Sequence, residues 1–217
     1  MTEPTFLTET RAGYDAMAAD YAQQVAGELA SKPWDRAMLA AFAEVVSGPV
    51  ADVGCGPGAN TAYLRGLGVD VFGVDLSPET VALSRERYPD LRFEVGSMTA
   101  LGVPHAALGS VAALYSIIHI PADHMPSVFA EFRRVLRPGG HLMLAFQVGD
   151  EINHRDEGFG HKLSLDFRRQ RPDRIVALLA DAGFEMVVRL VREPRDYAGG
   201  VETTPQAYLV ARKPFTP

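Results

Sequence analysis

The chain has a single cysteine, Cys55, and a single tryptophan in its 217 residues. One thiol excludes an internal disulfide and a cysteine-based zinc cluster, and is the usage expected in a reducing compartment. No run of eighteen or more apolar residues occurs, so no membrane span is read. The opening Met1-Thr2-Glu3-Pro4 lacks a basic region followed by an apolar one. No signal peptide is therefore expected, and the expected location is cytoplasmic. Positive charge is also scarce: 21 Lys and Arg stand against 27 Asp and Glu, a net charge of -6. That balance argues against a nucleic-acid backbone as the main partner. No repeat or low-complexity tract is present. With 47% hydrophobic and 22% charged residues the chain has ordinary globular composition, and its length suits one substantial core.

What is there is an ordered alternation of elements. Thr8 to Leu29 is Ala-rich and helical in pattern, with Tyr14, Met17 and Tyr21 on one face. A second helix is expected over Trp34 to Val46. Val50 to Val53 reads as a short buried strand entering a glycine-rich turn, followed by a helix over Asn60 to Leu67. A strand over Val69 to Val74 ends at Asp75. Ser77-Pro78-Glu79 then starts a helix, with Ser77 as N-cap and Pro78 at its first position. Leu91 to Val95, Ser110 to Ile117 and His141 to Gln147 complete five strands, with a helix over Asp123 to Leu136 before the last. Such alternation requires a parallel sheet with helices on both faces. The tail departs from it: a helix near Pro172 to Ala182 leads to strands over Met186 to Arg192 and Gln206 to Ala211, most simply an antiparallel hairpin. The expected fold is thus α/β, a Rossmann-like doubly wound sheet of seven strands closed by that hairpin. In this reading residues 1–47 form helical lids, 48–147 the core, 148–171 a substrate-side loop and 172–217 the closing unit of one domain.

The chemistry centres on Asp52-x-Gly54-x-Gly56-x-Gly58, where a buried strand gives way to a helix. So tight a turn needs residues tolerant of positive φ, and glycine lets backbone approach a ligand. The following helix offers free N–H groups and a positive dipole end. Asp75, closing the next strand, is placed to accept both hydroxyls of a ribose. Gly54-x-Gly56-x-x-Ala59 also satisfies the dinucleotide fingerprint, so at this point a nicotinamide-dependent oxidoreductase stays open.

The run from Val50 to Thr61 resembles the first motif of class I S-adenosylmethionine-dependent methyltransferases. Val74-Asp75-Leu76-Ser77-Pro78 resembles their second, and Arg134 to Gly140 the turn before their fifth strand. Tyr14-Asp15-x-x-Ala18-x-x-Tyr21 resembles the segment that lies over the cofactor in many small-molecule members. The likeness extends from Tyr14 to Lys213. It implies that Gly54, Cys55, Gly56 and Gly58 form the turn approaching the cofactor's methionine part, with Asp52 bracing it. It implies further that Asp75 holds the ribose, Leu76 packs on adenine, and Tyr115 and Ser116 lie beneath the methyl donor. Where the family often has an acid beside the adenine amino group, this chain has Gly96-Ser97-Met98, so Ser97 or the Met98 backbone takes that place. Tyr14 and Tyr21 are either lid residues over S-adenosylmethionine or an ordinary core-facing stripe.

A general base is needed only for an acceptor that arrives protonated; a carboxylate needs none. His119, just beyond the fourth strand, is the best-placed base, or else a histidine capping a turn beside the cofactor. His154 and His161, in the polar stretch after the fifth strand, are the secondary candidates. Asp150, Glu151, Asp156 and Glu157 share that stretch but have no metal-site spacing, so no metal is expected. Cys55 fills the turn rather than acting as a nucleophile. The basic cluster Arg168-Arg169-Gln170-Arg171 is either a solvated face or a receiver of an anionic substrate. The expectation is methyl transfer to a small molecule, with O-methylation ahead of N- or C-methylation and S-adenosylhomocysteine as product. Neither nucleic acid nor membrane is expected as partner, and the chain is expected to be a monomer or homodimer. Its rivals are the oxidoreductase and a non-catalytic S-adenosylmethionine-binding regulator.

Overall fold

The computed structural model describes residues 3–197 and 200–215. The elements in chain order are α1 (Thr5–Gln24), α2 (Glu28–Ser31), α3 (Pro33–Val45), β1 (Val50–Val53), α4 (Ala59–Gly66), β2 (Val71–Asp75), α5 (Pro78–Arg87), β3 (Phe93–Val95) and β4 (Leu108–Leu114). After a 3₁₀ turn at Ile117–His119 come α6 (Met125–Val135), β5 (Leu136–Gln147), β6 (Ile152–Gly158), β7 (His161–Arg168), α7 (Pro172–Asp181), β8 (Glu185–Arg192), β9 (Asp196–Tyr197), β10 (Gly200–Val201) and β11 (Gln206–Arg212).

Seven strands form one sheet in the order β3-β2-β1-β4-β5-β11-β8. The pairings from β3 through β5 are parallel, and β11 runs antiparallel to both β5 and β8. The expected Rossmann-like sheet with a reversed C-terminal strand is therefore present. β1 and β4 are buried along their whole length, which is why they read as largely apolar runs, each with one buried polar residue, Asp52 and Ser110. In β5 alternation resolves the two faces. Leu142, Leu144 and Phe146 join Phe129 and Phe132 of α6 and Leu179 of α7, while Met143 and Ala145 join Leu39 and Phe42 of α3 and Leu64 of α4.

Two expectations are corrected. The first long helix divides at Gly27, whose φ of +75° breaks it into α1 and α2. The stretch 148–171 contains an antiparallel hairpin, β6 with β7, rather than a plain loop. Its two-residue turn is Phe159-Gly160, with φ of +52° and +78°, the both-positive geometry that matches strand twist. Leu163, Leu165 and Phe167 alternate with polar neighbours along β7. Leu165 is buried against Gly13, where an added Cβ would stand 2.9 Å from Leu165 Cγ. α1 thus needs a glycine midway to let the hairpin rest on it.

Candidate active site

The carboxyl ends of β1, β2 and β4 open into a cavity of about 580 Å³, roofed by α1 and by the β6–β7 hairpin. Parallel strands leave their C-terminal backbone ends and following loops at this rim, where α/β sheets bind ligands.

The glycine turn has three distinct local reasons. At Gly54, φ +73°, an added Cβ would stand 2.2 Å from Ser116 Cβ, so the turn lies directly on the end of β4. At Gly58, φ +83°, it would stand 2.8 Å from Phe93; Gly58 caps α4 and is not among the cavity's lining residues. That placement corrects the expectation that Gly58 approaches a ligand. At Gly56, φ +53°, the nearest atom is Tyr21 Cε1 at 3.8 Å, so backbone faces open cavity. Asp52 is buried behind the turn, where its Oδ2 accepts the Thr61 hydroxyl at 2.7 Å and ties β1 to α4. Burial pushes the Asp52 carboxyl up to about 7. The Cys55 thiol is buried beside Val81 and Phe93, and burial raises its pKa, the opposite of an activated nucleophile.

Asp75 accepts from Gly56 N at 2.9 Å through Oδ2 and from Ser77 N at 3.0 Å through Oδ1. Its carboxylate is thereby aimed across the turn, in the wall of the cavity with Leu76. Burial raises its pKa, opposed by those backbone donors. Ser77 caps α5 as expected, accepting from Thr80 N at 3.0 Å. Its hydroxyl donates in turn to Asp15 at 2.6 Å, and Asp15 also accepts from Glu79 N at 3.3 Å. Asp15 of α1 therefore docks the lid onto the start of α5. Sequence reasoning named Asp15 only as part of a motif, because the helix end it serves lies more than sixty positions away.

Tyr14 and Tyr21 reach the cavity side by side, their ring centroids 5.5 Å apart, with both phenols raised in pKa by burial. Ser97 and Met98 also line it; the Ser97 hydroxyl is shared with Thr99 at 2.7 Å. Tyr115 lines it with φ +55°, a strained conformation for a tyrosine, its hydroxyl 3.3 Å from Asp35 and 3.2 Å from Tyr208. Ser116 donates to Val53 O at 2.8 Å, and its side chain rests against Gly54.

His119 is buried, with Nδ1 2.9 Å from the Asp166 carbonyl and Nε2 2.9 Å from the Tyr14 hydroxyl. Burial lowers its pKa to about 4, so the ring is neutral. His154 and His161 are placed elsewhere: His154 pairs with Asp166 at 2.8 Å and His161 with Asp20 at 3.0 Å, neither among the lining residues. Neither histidine is brought into the cavity; His161 instead ties the hairpin to α1 through Asp20. Asp150 and Glu151 pair with Arg171 and Arg169. Among the described residues no three His, Cys, Asp or Glu side chains are placed to hold a metal ion. No helix among them is long and apolar enough to cross a membrane. Asp35 of α3, Gln147 at the end of β5 and Arg155 of β6 also reach the cavity without having been singled out, since none belongs to a motif.

A reversed strand beside a parallel sheet, a glycine turn and an acid at the tip of β2 define the nucleotide-cofactor class of α/β proteins. Residues 50–140 match the family model described as a methyltransferase domain. The chain is 33% identical over 121 residues to the trans-aconitate 2-methyltransferase of Rhizobium meliloti, covering 54% of this chain and 45% of that one. A solved S-adenosylmethionine-dependent methyltransferase of Methanosarcina mazei superposes with a TM-score of 0.69 at 19% identity, covering 80% of this chain and 96% of that one. The [4+2]-cyclase SpnF gives 0.74 at 18% identity, covering 99% and 98%. At such identities the structural likeness speaks for the fold. Residues 50–140 are thus matched as a methyltransferase domain, on a fold shared with solved S-adenosylmethionine-dependent methyltransferases. That match weighs against the nicotinamide reading left open by the glycine turn. The chain spans about half the length of the curated relatives it matches.

Proposed function

We propose that this chain binds S-adenosylmethionine and transfers its methyl group to a small-molecule acceptor, with oxygen favoured over nitrogen or carbon. The observation that carries the reading is the Gly56–Asp75 cradle. Open backbone at Gly56 faces the cavity toward Tyr21, and the Asp75 carboxylate stands in the same wall. A Cβ at Gly56 would project into that space, and a ribose diol suits a carboxylate already oriented by two backbone N–H groups. S-adenosylmethionine supplies an electrophilic methyl; the residues named here would bind it, align the acceptor and exclude water. Leu76, Ser97 and Met98 would flank the adenine, and Tyr14, Tyr21, Tyr115 and Ser116 the methionine end. Residues 1–47 would act as lid, 48–147 as cofactor core, 148–171 as acceptor-side cover and 172–217 as closing unit. A net charge of -6 supports a small acceptor over nucleic acid, and a lone cysteine fits a reducing, cytoplasmic setting.

Isothermal titration with S-adenosylmethionine and S-adenosylhomocysteine tests the reading, with saturable one-to-one binding expected. A folded sample that binds neither overturns it. Binding of both without release of S-adenosylhomocysteine across a broad acceptor screen would favour a cofactor-binding regulator instead.

A further inference from the structure

Three arginines line the cavity from the hairpin side: Arg155 on β6, Arg168 on β7 and Arg169 directly after it. Arg168 pairs with Asp166 at 2.5 Å and Arg169 with Glu151 at 3.2 Å. Arg155 has no carboxylate within ion-pair distance among the described residues, and its guanidinium stands 5.7 Å from the Phe167 ring centroid. Asp166 already serves His154 as well as Arg168. This wall therefore carries more positive charge than its own acids neutralise. It also holds an orphan: Arg168 Nε is buried and has no hydrogen-bond partner.

The groups able to take a proton from an acceptor are already committed. His119 presents its only lone pair to the Tyr14 hydroxyl. Glu28 is paired with Lys32, Glu202 with Arg192, and Asp75 with the Gly56 and Ser77 backbone. Asp35 accepts from Tyr115 through Oδ1; its Oδ2 has no hydrogen-bond partner but is buried out of reach of an acceptor, 3.6 Å from the Arg192 guanidinium. A phenol, alcohol or ammonium acceptor would have to lose a proton to one of these. A carboxylate arrives ionised near neutral pH and loses none.

We propose that the methyl acceptor is a small organic carboxylate, held by the Arg155 and Arg168 guanidinium groups, and that the product is its methyl ester. The proposal rests on the methyl-transfer reading above. An acceptor carboxylate oxygen attacks the sulfonium methyl carbon; the O–C bond forms as the S–C bond breaks, and its electron pair stays on sulfur. Ester and neutral thioether result, and no proton is moved. The guanidinium fork matches the two carboxylate oxygens and fixes one of them toward the methyl.

The test separates this proposal from the reading beneath it. S-adenosylhomocysteine is first titrated into wild type, R155Q and R168Q. Similar affinity in all three is expected. Loss of affinity in the variants would mean that the arginines hold the cofactor's own carboxylate, which overturns the acceptor proposal. No binding by wild type would overturn the methyl-transfer reading itself, and the acceptor proposal with it. Radiolabelled methyl transfer is then run against aliphatic and aromatic carboxylic acids, their amides, phenols and amines. Label on carboxylic acids alone, released as methanol by mild alkali, is expected, with a rate flat between pH 6 and pH 9. R155Q, a change at an exposed side chain, and R168Q should raise KM for the acid about tenfold or more, and R168K should recover part of that loss. Alkali-stable label on a phenol or amine, no turnover of any acid, or unchanged KM in both variants overturns the proposal.

Discussion

The Tyr14 hydroxyl donates to Nε2 of His119 across 2.9 Å, while Nδ1 of the same ring lies 2.9 Å from the Asp166 carbonyl. A carbonyl can only accept, so Nδ1 carries the proton and Nε2 is left with the lone pair that receives Tyr14. One neutral imidazole thus joins α1, the turn after β4 and β7. The residue that sequence reasoning favoured as a base also pins the cavity roof. An imidazolium here would have to reverse that bond, with Nε2–H donating to the Tyr14 oxygen, and would place a charge where burial disfavours it.

The pH dependence follows from the sign of that shift. His119 titrates near 6.5 when unfolded and at about 4 when folded, so the unfolded chain takes up the proton first as pH falls. Its contribution to stability is complete above about pH 6.5 and is lost progressively toward pH 4. Between pH 7 and pH 5 wild type should lose about 2 kcal/mol more than H119Q. Paired denaturant melts at the two pH values measure this; equal losses in both proteins would refute it. Asp52 acts oppositely in both proteins, because its raised carboxyl contributes stability that is lost as pH rises through about 7, and so cancels from the comparison.

Asp75→Ala removes the carboxylate that orients Gly56 and Ser77 and faces the cavity. S-adenosylhomocysteine affinity should fall roughly tenfold or more, the worth of one or two charge-assisted hydrogen bonds. Calorimetric titration reads this directly, and an unchanged dissociation constant would contradict the ribose assignment.

The glycines of the turn should divide by substitution. G54A forces both a left-handed alanine and a Cβ 2.2 Å from Ser116, so a stability loss of roughly 3 kcal/mol is expected. G56A meets nothing nearer than 3.8 Å and should cost about 1 kcal/mol in folding, while weakening cofactor binding disproportionately. Melting curves and titration on the same two samples check the ordering; a more stable G54A would overturn it.

Asp15→Ala should loosen the lid without unfolding the core. The loss is one capping interaction at the start of α5, about 1 kcal/mol, together with the bond from Ser77. Limited trypsin digestion should cut faster at Arg11 than in wild type, with a small change in melting temperature. Identical digestion rates would show that Asp15 does not dock α1.

Local physics made much of this molecule legible from its residues. Val50–Val53 and the strand ending at Asp75 announced themselves as apolar runs, Ser77-Pro78-Glu79 as a helix start, and Gly54 to Gly58 as a turn needing positive φ. Each depends on neighbours within a few positions, so the Rossmann-like order of strands and the cofactor rim could be read in advance. The hairpin over 152–168 escaped because Phe159-Gly160 is not a usual turn pair and β6 has no apolar residue after Ile152 to mark an alternation. The roles of His119, Asp15 and the arginines at 155 and 168 escaped for a deeper reason. Each is set by a partner tens of residues away: Asp166 and Tyr14 for the histidine, the end of α5 for the aspartate, the cavity wall for the arginines. Hydrogen bonding and charge compensation across such separations exist only once the sheet has brought its ends together. The sequence by itself therefore determined where a cofactor would sit, and only the tertiary structure decided which side chains close over it and which face the acceptor.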